Sequence, residues 1–169
     1  REHGEWTGWI PFDELPHAFD PPQHFIVSAN NKITQGPSPI EGEWIDPYRA
    51  QRITDRLTSK ASLTPDDFAS IQADTYSLHA KEMLPILLGH AHPLDARDTD
   101  AVALLRQWNF DARGDSAATA IFQAWYQELP AAILADELSG RLTSDYNGLD
   151  RSSYRSRFLI ATLSKKDDP

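Results

Sequence analysis

The sequence predicts an α+β chain, mainly α-helical with a short β-containing N-terminal region, and three observations carry that reading. Seven of the twelve prolines (positions 11, 16, 21, 22, 37, 39 and 47) and three of the five tryptophans fall within the first 48 residues. From Asp46 onward, apolar residues recur three and four apart behind hydroxyl or carboxylate caps. Beyond Gly140 the chain turns polar. These shifts divide it into a β-containing segment at 1–48, a helical region at 49–140 and a polar C-terminal segment at 141–169.

Proline supplies no backbone N–H and fixes φ, so its density over the first segment opposes helix and interrupts any hydrogen-bonded ladder. Short extended pieces at 8–12 and 24–29, joined by rigid turns, are the expectation. Phe25-Ile26-Val27 is aromatic and β-branched without polar alternation, which reads as a strand buried on both faces. Trp9-Ile10-Pro11-Phe12 reads as part of a structural hairpin.

Asp46-Pro47 offers an N-cap followed by proline at the first helical position, with Ile53 and Leu57 four apart, and predicts a helix near 47–58. Thr64-Pro65-Asp66-Asp67 joins a hydroxyl cap, a proline and a carboxylate three positions on, opening a second helix ahead of Phe68 and Ile71. Leu78, Met83, Leu84, Leu87 and Leu88 form a third apolar face up to Gly89, and Pro85 is expected to kink or shorten it. His90-Ala91-His92-Pro93 is a connection. Ala101, Leu104, Leu105 and Trp108 share helical spacing, and Asp111 to Asp115 reads as a turn. Ala117, Ile121, Trp125, Leu129 and Ile133 mark a long helix within 116–138 that Pro130 should bend or divide. Trp108, Phe122, Trp125 and Leu129 are core residues on this pattern. Further on, Asn147-Gly148 signals a turn, and Phe158-Leu159-Ile160 is the one remaining apolar cluster.

Composition narrows the function. Sixteen Lys and Arg against 25 Asp and Glu leave a net charge of −9, the wrong sign for neutralising phosphates, so no nucleic-acid partner is expected. No apolar run approaches the length of a membrane-spanning helix, and no membrane partner is expected. With no cysteine, disulfides, thiolate nucleophiles and zinc–cysteine sites are excluded. The Gly-x-Ser-x-Gly elbow, the dinucleotide and phosphate loops and the His-Glu-x-x-His zinc motif are all absent from the sequence. His90 and His92 read as a solvated loop pair more than as metal ligands. Asp95, Asp98 and Asp100 lack the glycine of a calcium loop and read as helix caps. Asp74 and Asp115 read as caps or backbone partners, not as acids.

One ordered set of pieces says more. Gly8-Trp9-Ile10-Pro11-Phe12-Asp13-Glu14-Leu15-Pro16 is followed by Phe25-Ile26-Val27-Ser28-Ala29-Asn30-Asn31-Lys32 and then by Pro47-Tyr48-Arg49. Gln72-Ala73-Asp74 with Ser77 and Ala80 comes next, then Leu104-Leu105 with Trp108, and Asp115-Ser116-Ala117-Ala118 before Phe122 and Trp125. Together these resemble the β-chain of the penicillin acylase and acyl-homoserine-lactone acylase family of N-terminal-nucleophile hydrolases, over about residues 5–138. The resemblance implies a parent fold that is a four-layer αββα sandwich, of which this piece supplies a core strand or two and a largely helical elaboration.

It also implies a chemistry. In such enzymes the first residue of the β-chain, usually Ser, attacks a linear amide while its own α-amine accepts the hydroxyl proton. An α-amine with a pKa of about 7.7–8.0 is partly neutral at working pH and needs no histidine. Residue 1 here is Arg, so the nucleophile is expected outside this chain, which reads as an internal β-chain segment, inactive alone. By the resemblance, Asn30 is the side-chain donor of the oxyanion hole and Arg49 orients it. A side-chain amide suits the task because it is a donor that stays neutral at any pH.

On the residues alone, Asn30-Asn31 is ordinarily a turn and Arg49 an ordinary solvated residue of a first helical turn, and an autonomous helical binding or scaffold domain without catalysis is the alternative. The implied partners are the remaining α- and β-chain segments of the parent enzyme and a small acyl amide of penicillin or acyl-homoserine-lactone type. Self-association, or a large unpaired apolar patch, around Phe25 to Val27 is a further expectation. No cofactor is expected in this segment. The family often binds one structural calcium, whose ligands are expected mainly elsewhere, since Glu41 and Glu43 are too loosely placed to nominate. The implied location is the periplasm.

Overall fold

The computed structural model describes residues 8–34, 44–138, 140–142 and 153–165. A single turn of 3₁₀ helix at Phe12–Glu14 interrupts an otherwise irregular N-terminal stretch. Six α-helices with defined bounds follow: α1 at Tyr48–Leu57, α2 at Pro65–Gln72, α3 at Leu78–Gly89, α4 at Ala96–Gln107, α5 at Ala117–Ile133 and α6 at Ser153–Leu163. Among the described residues there is no β-strand, and the one bridge is an isolated antiparallel pair between Tyr76 and Asp111.

The strand expected at 24–29 is therefore a correction. Phe25, Ile26 and Val27 are not paired into a ladder, and Ile26 is 66% exposed. A strand exists only against a partner, and the described residues supply none. Among the described residues no hairpin forms around Trp9 to Phe12, where unassigned backbone leads into the 3₁₀ turn. Phe12 and Phe19 are 85% and 95% exposed, so the N-terminal stretch carries apolar side chains that the described residues leave uncovered.

Helix caps match the sequence signals closely. Thr64 and Asp67 form a complete capping box at the start of α2, with Pro65 at the first helical position. Ser77, Asp95 and Ser116 each accept a backbone N–H three residues on, at the starts of α3, α4 and α5. Asp46 departs from expectation. Pro47 occupies the cap position of α1 without a side-chain cap, while the Asp46 carboxylate accepts from Arg157 Nε at 3.0 Å. Pro85 does not end α3 early and Pro130 does not divide α5, since α3 continues to Gly89 and α5 to Ile133. Each removes one N–H from its helix, a loss that packing offsets, and Pro130 is itself fully buried.

The core is helical. Ala80, Met83, Leu84 and Leu87 of α3 meet Leu105 and Trp108 at the end of α4, Phe122 and Leu129 of α5, and Leu159 of α6. Trp125 packs against this cluster from a half-buried position. α4 packs on α5, α6 on α3, and α1 on both α2 and α3. Thus α6, in the polar C-terminal segment, shares the core of the helical region.

Two linkers are stitched together beside this core. Ser77 N–H donates to Phe110 O at 2.9 Å and Ala112 N–H to Thr75 O at 2.9 Å, joining the α2–α3 linker to the α4–α5 linker. Trp108 Nε1 donates to Asp111 O at 3.0 Å, and Phe110 takes a left-handed φ of 65° to make the turn. The α2–α3 linker also meets α1, through Asp74 and Tyr76 against Arg52.

Candidate active site

Asn30 stands in the left-handed region with φ of 62°, where a short polar side chain is tolerated better than most. Its neighbours close the turn. Ala29 N–H donates to Asn31 Oδ1 at 3.1 Å, and Asn31 Nδ2 donates to Lys32 O at 3.0 Å. Ile45 N–H donates to Asn30 O at 2.8 Å, which brings the turn against the residues leading into α1.

From the first turn of α1, Arg49 reaches this turn. A single Arg49 nitrogen, Nη2, donates to Ala29 O at 2.8 Å and to Asn30 Oδ1 at 2.8 Å. Arginine has only donors, so the side-chain atom of Asn30 that faces it is the carbonyl oxygen. The amide nitrogen therefore points away, and Nδ2 donates to none of the described residues. Both Asn30 and Arg49 are exposed. The structure thus brings the two sequence-predicted residues together, on a surface and not in a closed pocket.

α1 also forms one wall of a cavity of about 870 Å³ that Arg49, Arg52 and Arg56 all border. Asp74, Tyr76, His79 and Ser156 line it further round. Arg52 meets Asp74 through a two-pronged contact, Nε to Oδ1 at 2.8 Å and Nη2 to Oδ2 at 2.6 Å, and its guanidinium lies 4.5 Å over the Tyr76 ring. The Arg52 guanidinium holds the Asp74 carboxyl below the usual carboxylate range, and the same contact raises Arg52. Burial pushes the His79 imidazole down, and its Nε2 lies 3.3 Å from Ser156 Oγ, which in turn lies 2.8 Å from the Tyr126 hydroxyl. Burial, then the carboxylate of Glu82 at 2.6 Å, raises the Tyr48 hydroxyl.

The other candidates separate from this site. His90 Nε2 lies 2.9 Å from Leu163 O, and Asp95 and Asp98 accept the backbone N–H groups of Asp98 and Leu94. Asp115 pairs loosely with Arg113 at 3.6 Å. Among the described residues no three carboxylate or imidazole groups gather into a metal-binding set, and Glu41 and Glu43 lie outside the described residues.

A family model described as Penicillin amidase matches residues 1–169. The chain belongs to the penicillin amidase family. It is 36% identical over 138 residues to "Penicillin acylase 2 proenzyme" of Pseudomonas sp. (strain SE83). That alignment takes in 79% of this chain and 17% of the relative, so the chain spans about a sixth of the length of that penicillin acylase proenzyme. No solved structure matches. Within this penicillin amidase family chain, sequence spacing missed the Arg52–Asp74 pair, which is separated by 22 residues. The signal that could have found it is the arginine stripe of α1, three like charges on one helical face calling for a nearby carboxylate.

Proposed function

We propose that this chain is a segment of an acylase that hydrolyses linear amides of penicillin or acyl-homoserine-lactone type, with Asn30 as an oxyanion donor and Arg49 as the group that orients it. The observation that carries the reading is the bond from Arg49 Nη2 to Asn30 Oδ1, which fixes the amide by its oxygen and leaves Nδ2 directed outward. A donor set in advance at the developing charge needs no reorganisation during reaction.

The nucleophile in this reading is a Ser at the start of the parent β-chain, outside this segment. Its hydroxyl proton passes to its own α-amine as Oγ bonds to the substrate carbonyl carbon, and the carbonyl electron pair moves onto oxygen. Asn30 Nδ2 donates to that oxygen. Collapse of the adduct expels the amine, which takes the proton from the α-ammonium, and water then releases the acyl group by the same steps. The remaining segments of the parent enzyme cover Asn30, because an exposed amide would otherwise compete with water. Alone, the segment is inactive.

Replacing Asn30 with alanine in the intact enzyme tests this. The expected loss is about 10²–10³ in kcat with little change in KM. Wild-type turnover by Asn30→Ala would remove the reading. Periplasmic residence and one structural calcium held outside the described residues complete it, and cell fractionation and metal analysis of the intact enzyme check them.

A further inference from the structure

α1 presents Arg49, Arg52 and Arg56 at positions i, i+3 and i+7, which puts three guanidinium groups on one helical face. Only the first reaches Asn30. The other two converge on one carboxylate, because Asp74 takes the two-pronged contact from Arg52 and lies 3.5 Å from Arg56 Nε. Asp74 is not free to move with them. Its Oδ1 also accepts the Tyr76 N–H at 3.1 Å, and the Tyr76–Asp111 bridge fastens that linker to the helical core. The Asp74 side chain is 13% exposed, so water screens the grip less than at an open surface.

We propose that Asp74 is a positioning residue for amide hydrolysis: by holding Arg52 and Arg56 it sets the roll and depth of α1, so that Arg49, one turn earlier, meets Ala29 O and Asn30 Oδ1. This rests on the reading of Asn30 as the oxyanion donor. The geometry required is narrow, since both Arg49 bonds leave one nitrogen at 2.8 Å and a small rotation of α1 breaks one or both. Removing Asp74 leaves two like charges unneutralised on that face and takes away the tether that opposes such a rotation. Asp74 touches no reacting atom, and its effect passes through Arg49.

The test is a double-mutant cycle in the intact enzyme, with steady-state kcat and KM measured beside a thermal midpoint. Asp74→Ala and the isosteric Asp74→Asn should each lower kcat by roughly 10–10²-fold with KM within about twofold, as displacement of a catalytic group by an ångström does. Asp74→Glu should recover part of the loss. In an Arg49→Ala background, Asp74→Asn should cost almost nothing more, because the path it acts through is already gone. Asp67→Asn, which removes an ion pair with Lys60 at the start of α2 and touches none of Arg49, Arg52 and Arg56, should leave kcat unchanged. Losses that add in the double variant, or Asp74→Asn with wild-type kcat, would overturn the proposal. If Asp74→Ala does not accumulate, the isosteric variant decides. Asn30→Ala run alongside separates the two ideas: an inert Asn30→Ala removes the oxyanion reading, whereas an impaired Asn30→Ala with a normal Asp74→Asn removes only this one.

Discussion

Arg49 and Asn30, nineteen residues apart, are joined by a 2.8 Å hydrogen bond whose acceptor is the amide oxygen of Asn30. The same Arg49 nitrogen holds Ala29 O, so one guanidinium fixes both the backbone and the side chain of the turn. In the acylase reading, Arg49→Ala in the intact enzyme should lower kcat by about 10²-fold, the cost of a misdirected donor. Arg49→Lys should fall short of wild type as well, because its shorter, flexible stem does not hold a donor where the rigid guanidinium places Nη2. Single-turnover acylation measures both, and an Arg49→Ala enzyme that acylates normally would detach Arg49 from the site.

What the sequence made legible was local. Thr64 and Asp67 are three residues apart, so their capping box could be read directly, and Asp95 likewise read as a cap and opens α4. Partners far along the chain were not legible. Arg52 and Asp74 meet across 22 residues, and no spacing rule joins them. Asp46 looked like a cap because a proline follows it, yet Arg157, 111 residues on, takes its carboxylate. Phe25-Ile26-Val27 has strand composition but no described partner to pair with. α6 was missed because the approach to it is polar and only Phe158-Leu159-Ile160 signals burial. Asn30 and Arg49 were reached through family resemblance, since an Asn-Asn turn and a helical Arg carry no chemistry by themselves.

His79 supplies a pH dependence. Burial lowers its pKa in the folded chain, against the carboxylates of Asp46 and Glu82, which raise it, and alongside Arg157, which lowers it further. The unfolded state then takes up a proton first as pH falls through the ordinary histidine value of about 6.5, so stability is present above that pH and declines below it. The thermal midpoint should fall between pH 7 and 5, and the fall should be shallower in His79→Gln. Equal slopes in the two proteins would clear His79 of the effect.

At the start of α2 the sign is the same but the window is lower. Contact with Lys60, then the N–H and hydroxyl of Thr64, holds the Asp67 carboxyl down to about 2. Its contribution is intact above the ordinary aspartate value and is lost only as pH drops toward about 2. Carboxyl carbon shifts followed by NMR should place that titration below those of the other aspartates. Thr64→Ala should raise it and cost about 1 kcal/mol of stability through the lost cap.

The docking of α6 is the strongest packing claim, because Leu159 is 0% exposed within a cluster otherwise built from α3, α4 and α5. Ile160 and Leu163 pack against the same cluster, and around them Tyr126 and Ser156 sit 2.8 Å apart while Arg157 bridges to Asp46 at 3.0 Å and Glu82 at 3.3 Å. The Arg157–Glu82 pair is exposed on both sides and worth little by itself, so the apolar face led by the buried leucine is the larger part of the docking. Leu159→Ala should cost about 2–5 kcal/mol. Leu104→Ala, at a position on α4 that is 47% exposed, should cost less than about 1 kcal/mol. Urea unfolding of the chain compares the two. Equal midpoints would mean that α6 adds nothing to the core, and hydrogen exchange across 153–163 would then show no protection to lose.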